Sequence, residues 1–516
     1  MTARPGPKLA RPSAPRVFTK VLVANRAEIA VRVCRTLRDM NIGSVAVYSE
    51  ADRGALHTRA ADEAVCIGSP SPSDSYLNVA AILDAARATG AEAIHPGYGF
   101  LSQSAAFARA CAEAGVVFIG PSAASMELLG DKASSRRAAE RSGVPTIPGV
   151  EGVARVEDAL REAEVLCYPV LLKAVGGGGG RGMRRAGNAD ELRAAFESAR
   201  REAETAFGDD RLFLEKLVHP ARHVEIQILG DGRDAIAIGE RECSLQRRYQ
   251  KIIEESPCSV LPEKTRAAME AAAVALAREA KYAGAATVEF LLGPDGAFYF
   301  LEVNTRLQVE HPVTEMRSGL DLVRAQIEIA AGGALPKKPA LRGHAIEARL
   351  NAEDPYHGYL PQTGNVLLLS WPEGDGVRVD AGIRQGQAVH AHYDSLLAKV
   401  IAHGRDREDA RRRLIAALES LAFLGVATNQ AFLLELLDDS AFAAGETFTH
   451  TLESREWPGP ATVPDEALLA AAVALHAPAG AAGDGRDDID RYSPWLRLGS
   501  WGRSASAGPS TGGGRA

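Results

Sequence analysis

The chain has 516 residues and a formal net charge of −7, with 46% hydrophobic and 24% charged residues. This length allows about three domains, and the composition is typical of a globular protein. The acidic balance argues against a nucleic-acid partner, and no apolar run is long enough to span a membrane.

The N-terminal residues 1–16 predict a disordered basic tail. They contain no acidic residue, and their prolines oppose a regular amphipathic helix. A transit peptide is the alternative, but a cytoplasmic location is favoured. The six cysteines lack CxxC spacing, which fits a reducing compartment and neither a zinc site nor a disulfide framework. They are Cys34, Cys66, Cys111, Cys167, Cys243 and Cys258.

Residues 17–130 alternate between strand and helix patterns. They open with a strand, a periodic helix over 27–40 and a second strand, and further alternating segments follow. This alternation predicts an α/β domain with a parallel, doubly wound sheet that ends near Gly130. Asn25 and Arg26 stand where a glycine fingerprint would be, so a dinucleotide site here is weakly supported.

A glycine-rich loop follows a buried-strand pattern. The apolar run 170–175 carries Lys173 and leads directly into the five glycines of 176–180. Successive glycines let backbone amides approach an anion, so the loop predicts phosphate binding. It is neither a Walker A loop nor a Rossmann loop, because no Gly-Lys-Ser/Thr follows and the next helix begins only near Asp190. A flexible linker is the alternative.

Residues 287–304 predict a β-hairpin around the turn 294–296. The expected register sets Glu289 directly opposite Glu302, with Asn304 on the same face. Like charges that face each other repel, and a divalent cation such as Mg²⁺, which prefers oxygen ligands, would explain the pair. A surface hairpin with solvated acids is the alternative.

This register assumes that Gly293 pairs with Phe298 across the turn. The other face of the hairpin is then predicted to be core. Its residues are Val288, Phe290, Leu292, Tyr299, Leu301 and Val303.

Together, these features predict a site for ATP and magnesium. Lys132, on a predicted helix, and Lys173 would neutralise phosphates. Glu289 and Glu302 would hold metal ions that assist γ-phosphoryl transfer. The segment 215–218 could offer backbone groups to an adenine and a carboxylate to a ribose, although an ordinary strand end is the alternative.

Residues that suit a small planar anion follow the hairpin immediately. Arg306, Gln308 and Val309 lie there, and Lys251 lies on a charged segment upstream. Glu310 beside them could act as a base. A solvated charged face is the alternative.

From Gly343 onward, shorter strand patterns and one helix over 406–425 predict an α+β module. The last residues are rich in Ala, Gly, Pro and Ser and predict a linker-like tail with one helix over 465–475. The predicted divisions are 1–16, 17–130, 131–340, 341–457 and 458–516.

Eight stretches resemble the biotin carboxylase family, whose members are ATP-grasp ligases. The resemblance extends from Val17 to Trp457, in the family's order. It implies an ATP-grasp fold over 131–340, a preceding N-terminal αβ domain and a C-terminal α+β biotin carboxylase domain. The stretches are KVLVANRAEIAVR, IHPGYGFLSQSA, GDKASSR, KAVGGGGGRGMR, RHVEIQIL, CSLQRRYQKIIEESP, FLEVNTRLQVEHPVTEM and GHAIEARLNAEDP.

The resemblance implies a reaction. Bicarbonate attacks the γ-phosphate of ATP to give carboxyphosphate, whose CO₂ carboxylates N1′ of biotin, the first half-reaction of an acyl-CoA carboxylase. The implied cofactors are ATP, Mg²⁺ or Mn²⁺, and bicarbonate, with biotin supplied on a separate carrier. The implied partners are a biotin carboxyl carrier protein, a carboxyltransferase subunit that selects the acyl-CoA, and a second copy in a homodimer.

The resemblance also implies site residues. Those for ATP are Lys132, Lys173, Gly179, Gly180, Glu215, Lys216, Val218, His223 and Tyr249. Those for metal are Glu289, Glu302 and Asn304. Those for bicarbonate and biotin are Lys251, Arg306, Gln308, Val309 and Arg349. Catalytic roles fall to Lys251, Arg306, Glu310 as base and Arg349, which would stabilise the biotin enolate.

Two positions depart from the family pattern. Tyr249 stands where the family often has His, and its role is open. Ala27 replaces a glycine, and its Cβ restricts the backbone of the first turn. No methionine is followed by lysine, so the sequence predicts no biotin attachment site and no biotinyl domain in 458–516.

Two alternative functions make different predictions for the sequence. Another ATP-grasp ligase, such as a carbamoyl-phosphate synthetase-like or amino-acid ligase, would show no biotin dependence, and the stretches RLQVEHPVTE and EARLNAED argue against it. A non-catalytic relative would have lost a metal or base residue, yet Glu289, Glu302, Asn304, Arg306 and Glu310 are all present. The catalytic subunit is therefore favoured.

Overall fold

The structure, a computed structural model, describes residues 17–174, 183–207, 210–247, 250–459 and 469. Three predicted ATP residues, Gly179, Gly180 and Tyr249, lie outside these ranges. So do the predicted tail 1–16 and, apart from position 469, the helix predicted at 465–475.

The N-terminal part contains five strands, four α-helices and two short 3-10 helices (Glu50–Asp52 and Pro72–Asp74) before residue 120. The strands and α-helices are β1 (Lys20–Val23), α1 (Ala27–Asp39), β2 (Gly43–Ser49), α2 (Leu56–Ala60), β3 (Glu63–Gly68), α3 (Val79–Thr89), β4 (Ala93–His95), α4 (Ala105–Glu113) and β5 (Val117–Phe118). The strands form one sheet in the order β3-β2-β1-β4-β5, and every neighbouring pair is parallel. The predicted parallel α/β arrangement is confirmed.

Alternation along β1 explains why this sheet is covered on both faces. Val21 and Val23 pack in one apolar cluster with α1, whereas Leu22 packs in another with α3 and α4. A parallel sheet buried on both faces requires apolar residues on each, and β1 supplies them.

Helix α1 begins at an unusual backbone position. Ala27 has a φ of +53°, in the left-handed region that favours glycine. Gly382 packs so closely against this turn that a Cβ there would lie 2.3 Å from the amide nitrogen of Glu28. The glycine at 382 is therefore required by the close approach of the two segments.

The next part forms a four-stranded antiparallel sheet with helices. Its elements are α5 (Ala123–Gly130), α6 (Lys132–Arg141), β6 (Gly149–Val153), α7 (Val156–Leu166), β7 (Val170–Ala174), β8 (Arg184–Ala186), α8 (Ala189–Phe207) and β9 (Leu212–Lys216). The strand order is β6-β9-β7-β8. Alternating Val170, Leu172 and Ala174 are buried against α7 and α8, which leaves Lys173 on the other face.

The remaining elements form an eight-stranded sheet, three two-stranded sheets and several helices. Up to residue 330 they are β10 (Arg222–Asp231), β11 (Ala235–Arg247), β12 (Gln250–Ser256), α9 (Glu263–Glu279), β13 (Ala283–Leu292), β14 (Phe298–Asn304), α10 (His311–Ser318) and α11 (Leu322–Ala330). Beyond it they are β15 (His344–Asn351), β16 (Glu353–Asp354), β17 (Leu360–Pro361), β18 (Gly364–Asn365), β19 (Leu368–Ser370), β20 (Val377–Ala381), β21 (Ala388–Val389), β22 (Leu396–Gly404), α12 (Arg407–Ser420), β23 (Ala422–Leu424), α13 (Gln430–Asp438) and α14 (Ser440–Ala443). The two-stranded sheets are β16-β17, β18-β21 and β19-β23.

The eight-stranded sheet is antiparallel, in the order β14-β13-β10-β11-β12-β15-β22-β20. It passes without a break from β12 to β15, where Glu254 pairs with Glu347. The predicted division at 340 therefore lies between two strands of one sheet. The domain divisions themselves stay a prediction.

The predicted hairpin forms, with one correction near its turn. Glu289 pairs with Glu302, as predicted, but Phe298 pairs with Leu292 instead of Gly293. A β-bulge between Glu289 and Phe290 compensates for the shift of one residue.

The bulge also changes which residues face the core. Phe300 belongs to the apolar cluster, whereas the predicted core residues Tyr299 and Leu301 do not. The prediction of a strictly alternating strand was therefore wrong at these two positions.

The sequence also predicts that the segment 306–315 leads into one helix that runs to Ile329, and the structure corrects this prediction. Two helices form there, because Gly319 adopts the left-handed conformation (φ +71°) and ends α10. Asp321 then caps α11 by accepting a hydrogen bond from the Arg324 amide. Strand β22 was not predicted at all. Among the described residues, no helix is long and apolar enough to cross a membrane.

Candidate active site

One face of the eight-stranded sheet carries a row of charged side chains. Glu302, Glu289, Glu225 and Arg241 are successive cross-strand partners on β14, β13, β10 and β11. The next residue after Glu225, Ile226, belongs to the apolar core on the opposite face. Side-chain alternation along the strands therefore separates the candidate site from the core.

Lys251 on β12 lies at the centre of this row. Its Nζ donates hydrogen bonds to Glu225 Oε2 (2.6 Å), Glu289 Oε1 (2.9 Å) and Glu310 Oε1 (2.6 Å). Burial alone would lower the pKa of Lys251, but the acidic groups around it raise that pKa well above its usual range. A permanently charged ammonium therefore holds three carboxylates together.

Glu289 receives more donors than any simple ion pair would need. Its Oε1 also accepts from Asn304 Nδ2 (2.9 Å) and Gln308 Nε2 (3.0 Å). His223 Nε2 lies 3.0 Å from its Oε2. Burial opposes ionisation, but Lys251 and His223 outweigh it and lower the pKa of Glu289. The group is an ionised carboxylate.

Glu302 faces Glu289, and its pKa is shifted in the opposite direction. Burial and then the charge of Glu289 raise the pKa of Glu302, and Lys132 partly offsets this. Two carboxylates and the amide of Asn304 on one hairpin face form an all-oxygen donor set, which suits Mg²⁺ or Mn²⁺.

Two other clusters of side chains could hold a metal ion, and within each cluster the donor atoms lie within 4.8 Å of one another. The first is His223, Glu225 and Glu289, and the second is Glu225, Cys243 and Glu310. Glu225 is already held by Arg241 and Lys251. Burial raises the pKa of the Cys243 thiol well above its usual range, so it is not a thiolate ligand. The hairpin set fits a metal ion better.

Arg306 is placed beside the hairpin by several contacts. Its guanidinium donates to Gln308 Oε1 (2.8 Å), Asn304 Oδ1 (3.1 Å) and the carbonyl of Leu307 (3.1 Å). A further bond, at 2.9 Å, reaches Gln103 Oε1 in the N-terminal part of the chain. Gln308 links the cations Arg306 and Lys251. Its Oε1 accepts from Arg306, and its Nε2 donates to Glu289, which also accepts from Lys251.

Glu310 is fully buried, and two cations share its carboxylate. Oε1 accepts from Lys251, and Oε2 accepts from Arg349 Nη2 at 2.9 Å. Burial would raise the pKa of Glu310, but Lys251, Arg349 and Arg241 bring it well below its usual range. Arg349 also pairs with Glu254, whose pKa burial raises to about 7.

The predicted ATP residues that the structure describes lie on or beside the four-stranded sheet, at the start of α6 and on β10. Lys173 pairs with Glu215. Lys216 donates hydrogen bonds from its ammonium to the carbonyls of Cys167 (2.6 Å) and Tyr168 (3.2 Å), and its backbone amide donates to the carbonyl of Pro148 (2.9 Å). Lys132 is the first residue of α6, capped by the preceding aspartate.

Sequence reasoning missed several residues of the site. They are Glu225, Arg241, Cys243, Glu254 and Lys399. Glu225 and Arg241 each interrupt an otherwise apolar or alternating strand segment. A charged residue at such a position indicates a candidate site residue. Their pairing across β10 and β11 depends on register between segments that the sequence does not relate.

Known proteins match nearly all of the described chain. Family models match at three places, as "Biotin carboxylase, N-terminal domain" (17–126), "Carbamoyl-phosphate synthase L chain, ATP binding domain" (131–338) and "Biotin carboxylase C-terminal domain" (347–454).

Two curated relatives are similar to this chain. It is 48% identical over 444 residues to the mitochondrial propionyl-CoA carboxylase alpha chain of Homo sapiens. The matched region covers 85% of this chain and 61% of the human protein. It is 46% identical over 437 residues to the biotin carboxylase of Nostoc sp., which covers 84% of this chain and 98% of the relative.

A solved structure agrees with these matches. It is the biotin carboxylase domain dimer of Hydrogenobacter thermophilus 2-oxoglutarate carboxylase, in complex with MgADP, ADP and bicarbonate. The TM-score is 0.78 at 45% identity, and the match covers 84% of this chain and 97% of that one.

Proposed function

This chain belongs to the biotin carboxylase family of ATP-grasp ligases and catalyses ATP-dependent carboxylation of biotin, and we propose how its residues divide that work. The proposed reaction is the first half-reaction of an acyl-CoA carboxylase, through carboxyphosphate, on biotin held by a separate carrier. The observation that carries this is the triple contact of Lys251 with Glu225, Glu289 and Glu310.

We assign ATP to the space between the four-stranded sheet and the hairpin. Its phosphates would meet Lys132, Lys173 and the glycine loop with Gly179 and Gly180. Its base and ribose would meet the backbone at Lys216 and Val218 and the carboxylate of Glu215. His223 and Tyr249 complete this set. The Lys173–Glu215 pair supports the assignment, because an arriving phosphate can replace the carboxylate as partner of the ammonium.

Glu289, Glu302 and Asn304 would hold Mg²⁺ or Mn²⁺. A bound metal ion would neutralise charge on the phosphates during transfer. The donor set supports this assignment because two carboxylates face each other and the pKa of Glu302 is raised by burial and by Glu289. Both features are costs that a bound cation removes.

Bicarbonate would bind between Lys251, Arg306, Gln308 and the backbone of Val309. Glu310 would be its base. In the structure Lys251 and Arg349 keep the pKa of Glu310 too low for that task. An anion that takes over hydrogen bonds of Lys251 weakens this hold, so the pKa of Glu310 rises when its substrate is present.

Arg349 would stabilise the enolate of biotin. Its guanidinium remains charged, because Glu254 and Glu310 raise its pKa although burial opposes them. It lies against the base, so deprotonation of bicarbonate and stabilisation of biotin would occur side by side.

The proposed partners are a biotin carboxyl carrier protein, a carboxyltransferase subunit and a second copy of this chain. The name of the human relative, an alpha chain, supports a further subunit, and the Hydrogenobacter domain dimer supports a second copy. A cytoplasmic location is proposed as well. The final acyl-CoA depends on the carboxyltransferase and is left open between acetyl-, propionyl- and methylcrotonyl-CoA.

The test is ADP release by the purified chain with Mg·ATP and bicarbonate, with and without free biotin. Biotin should stimulate turnover, and Glu310→Ala should lower it by about 10²- to 10⁴-fold, as expected for loss of a general base. Glu446→Gln, at an exposed position, is the matched control. Steady ATP use without a biotin effect would instead indicate another ATP-grasp ligase.

A further inference from the structure

Lys399 on β22 is a fully buried charge that the assigned roles do not use. Its Nζ donates a hydrogen bond of 2.9 Å to the backbone carbonyl of Val309. Glu28 Oε2 lies 3.3 Å from it and Asp380 Oδ2 lies 4.0 Å from it. Burial of an ammonium group costs free energy unless the group is paired. A lysine at this position therefore has to make a contact that an apolar side chain cannot make.

The carbonyl of Val309 has a local reason to need a distant donor. Val309 and Glu310 form a turn between β14 and α10, outside any strand ladder. In such a turn the amide three residues further on would satisfy the carbonyl, but that residue is Pro312, which has no amide hydrogen. A buried carbonyl without a donor costs free energy, and Lys399 supplies the donor here.

Lys399 also lies beside the residue that holds the base. Arg349 and Lys399 are direct cross-strand partners on β15 and β22. Like charges facing each other are unfavourable. Arg349 binds the carboxylate of Glu310, and Lys399 binds the carbonyl of the preceding residue. The two cations thus bind one turn at two points: Arg349 at the side chain of Glu310 and Lys399 at the backbone of Val309.

We propose that Lys399 is a positioning residue for the bicarbonate site: its buried ammonium fixes the turn that presents the backbone of Val309 and the carboxylate of Glu310. Glu28, at the start of α1, and Asp380, on β20, are carboxylates close to that ammonium. The first turn of α1 therefore packs against the residue that holds the bicarbonate site. This inference rests on the bicarbonate role proposed above.

The experiment separates positioning from charge balance. Lys399→Met removes the contact but leaves Glu28 buried without its cation. Lys399→Met combined with Glu28→Gln removes the contact and neutralises both groups. Glu28→Gln alone keeps the contact. Lys338→Met, which breaks an exposed ion pair with Glu270, is the matched control.

The readouts are thermal stability and the KM values for bicarbonate and for ATP. We expect the double variant to be as stable as Glu28→Gln, yet to raise the KM for bicarbonate about tenfold or more, the loss expected for a hydrogen bond to a charged donor. The KM for ATP should change by less than about twofold, because Lys173, Glu215 and Lys216 lie on the four-stranded sheet, whereas Lys399 lies on β22 of the eight-stranded sheet.

A double variant with normal stability and a normal KM for bicarbonate would overturn the proposal, and so would an equal rise in both KM values. Failure of both methionine variants to fold would also count against it, because a positioning contact is not needed for folding. Wild-type protein whose ADP release ignores bicarbonate would refute the proposed function instead.

Discussion

The two faces of the eight-stranded sheet follow opposite physical rules. Glu225 and Ile226 are neighbours on β10, and both are completely buried, yet one lies among charges and the other in an apolar cluster. Burial of the isoleucine is favourable in itself. Burial of the glutamate is unfavourable and is tolerated only because Arg241 and Lys251 pair with it. The apolar face stabilises the fold, whereas the charged face uses part of that stability to hold a site.

Breaking the charged face should produce the largest effect. Arg241 donates to Glu225, Gln227 Oε1 (2.7 Å) and the hydroxyl groups of Thr287 and Thr314 (3.0 Å each). Arg241→Met leaves Glu225 short of a partner. It should lower the free energy of unfolding by about 3–5 kcal/mol, measured by urea denaturation near neutral pH.

The double variant Arg241→Met/Glu225→Gln is the control for this prediction. It removes both charges, so it should recover part of the lost free energy. A loss below about 1 kcal/mol in the single variant would mean that the charged face is not held by mutual pairing.

The next largest effect concerns pH. Burial raises the pKa of Glu254 from 4.5 to about 7. The unfolded chain releases this proton near 4.5, so the stability linked to it is complete below that pH and is lost as the pH rises through about 7. Glu254→Gln cannot titrate. The unfolding free energy of the wild type should therefore fall relative to the variant by about 3 kcal/mol between about pH 5 and pH 8.

Denaturation curves at several pH values test this sign. Glu419→Gln, at an exposed position on α12, should show a flat difference from the wild type over the same range. A difference that grows in favour of the wild type at alkaline pH would contradict the raised pKa of Glu254.

The apolar face should respond more weakly and without any pH dependence. Ile226→Val removes one buried methylene and should cost about 1 kcal/mol of unfolding free energy. The KM for bicarbonate should stay unchanged, because the side chain faces away from Glu225 and Lys251. A change in the KM for bicarbonate that, expressed as a free energy, exceeds the loss of unfolding free energy would show that the two faces are coupled.

The smallest effect is expected at the start of α1. Ala27 adopts a left-handed backbone (φ +53°), which costs alanine more than glycine. Ala27→Gly relieves that strain but increases the freedom of the unfolded chain, so the net gain should be a few tenths of a kcal/mol to about 1 kcal/mol. Differential scanning calorimetry measures it. A loss of stability would mean that the Cβ of Ala27 makes compensating contacts.

Local patterns predicted much of the site, and long-range pairing supplied the rest. Glu289 faces Glu302 as predicted, although a bulge and not the turn sets the register. Arg306 and Glu310 lie near each other in the sequence directly after β14, and Lys251 reaches Glu310 from β12. Lys399 could not be predicted in the same way, since its contact with Val309 spans 90 residues. Its strand was missed as well, because a lysine inside an apolar run carries no sign of its partner.

The continuity of the sheet from β12 to β15 has a consequence for dissecting the chain. The pairs Glu254–Glu347 and Ile253–Ala348 belong to one hydrogen-bonded ladder. A cut near 340 would therefore leave an exposed edge strand with unpaired backbone groups on each fragment. Such edges recruit other strands. Fragments made at that position should precipitate when expressed apart and should regain solubility when produced together, as two halves of a single sheet reassembling across the cut.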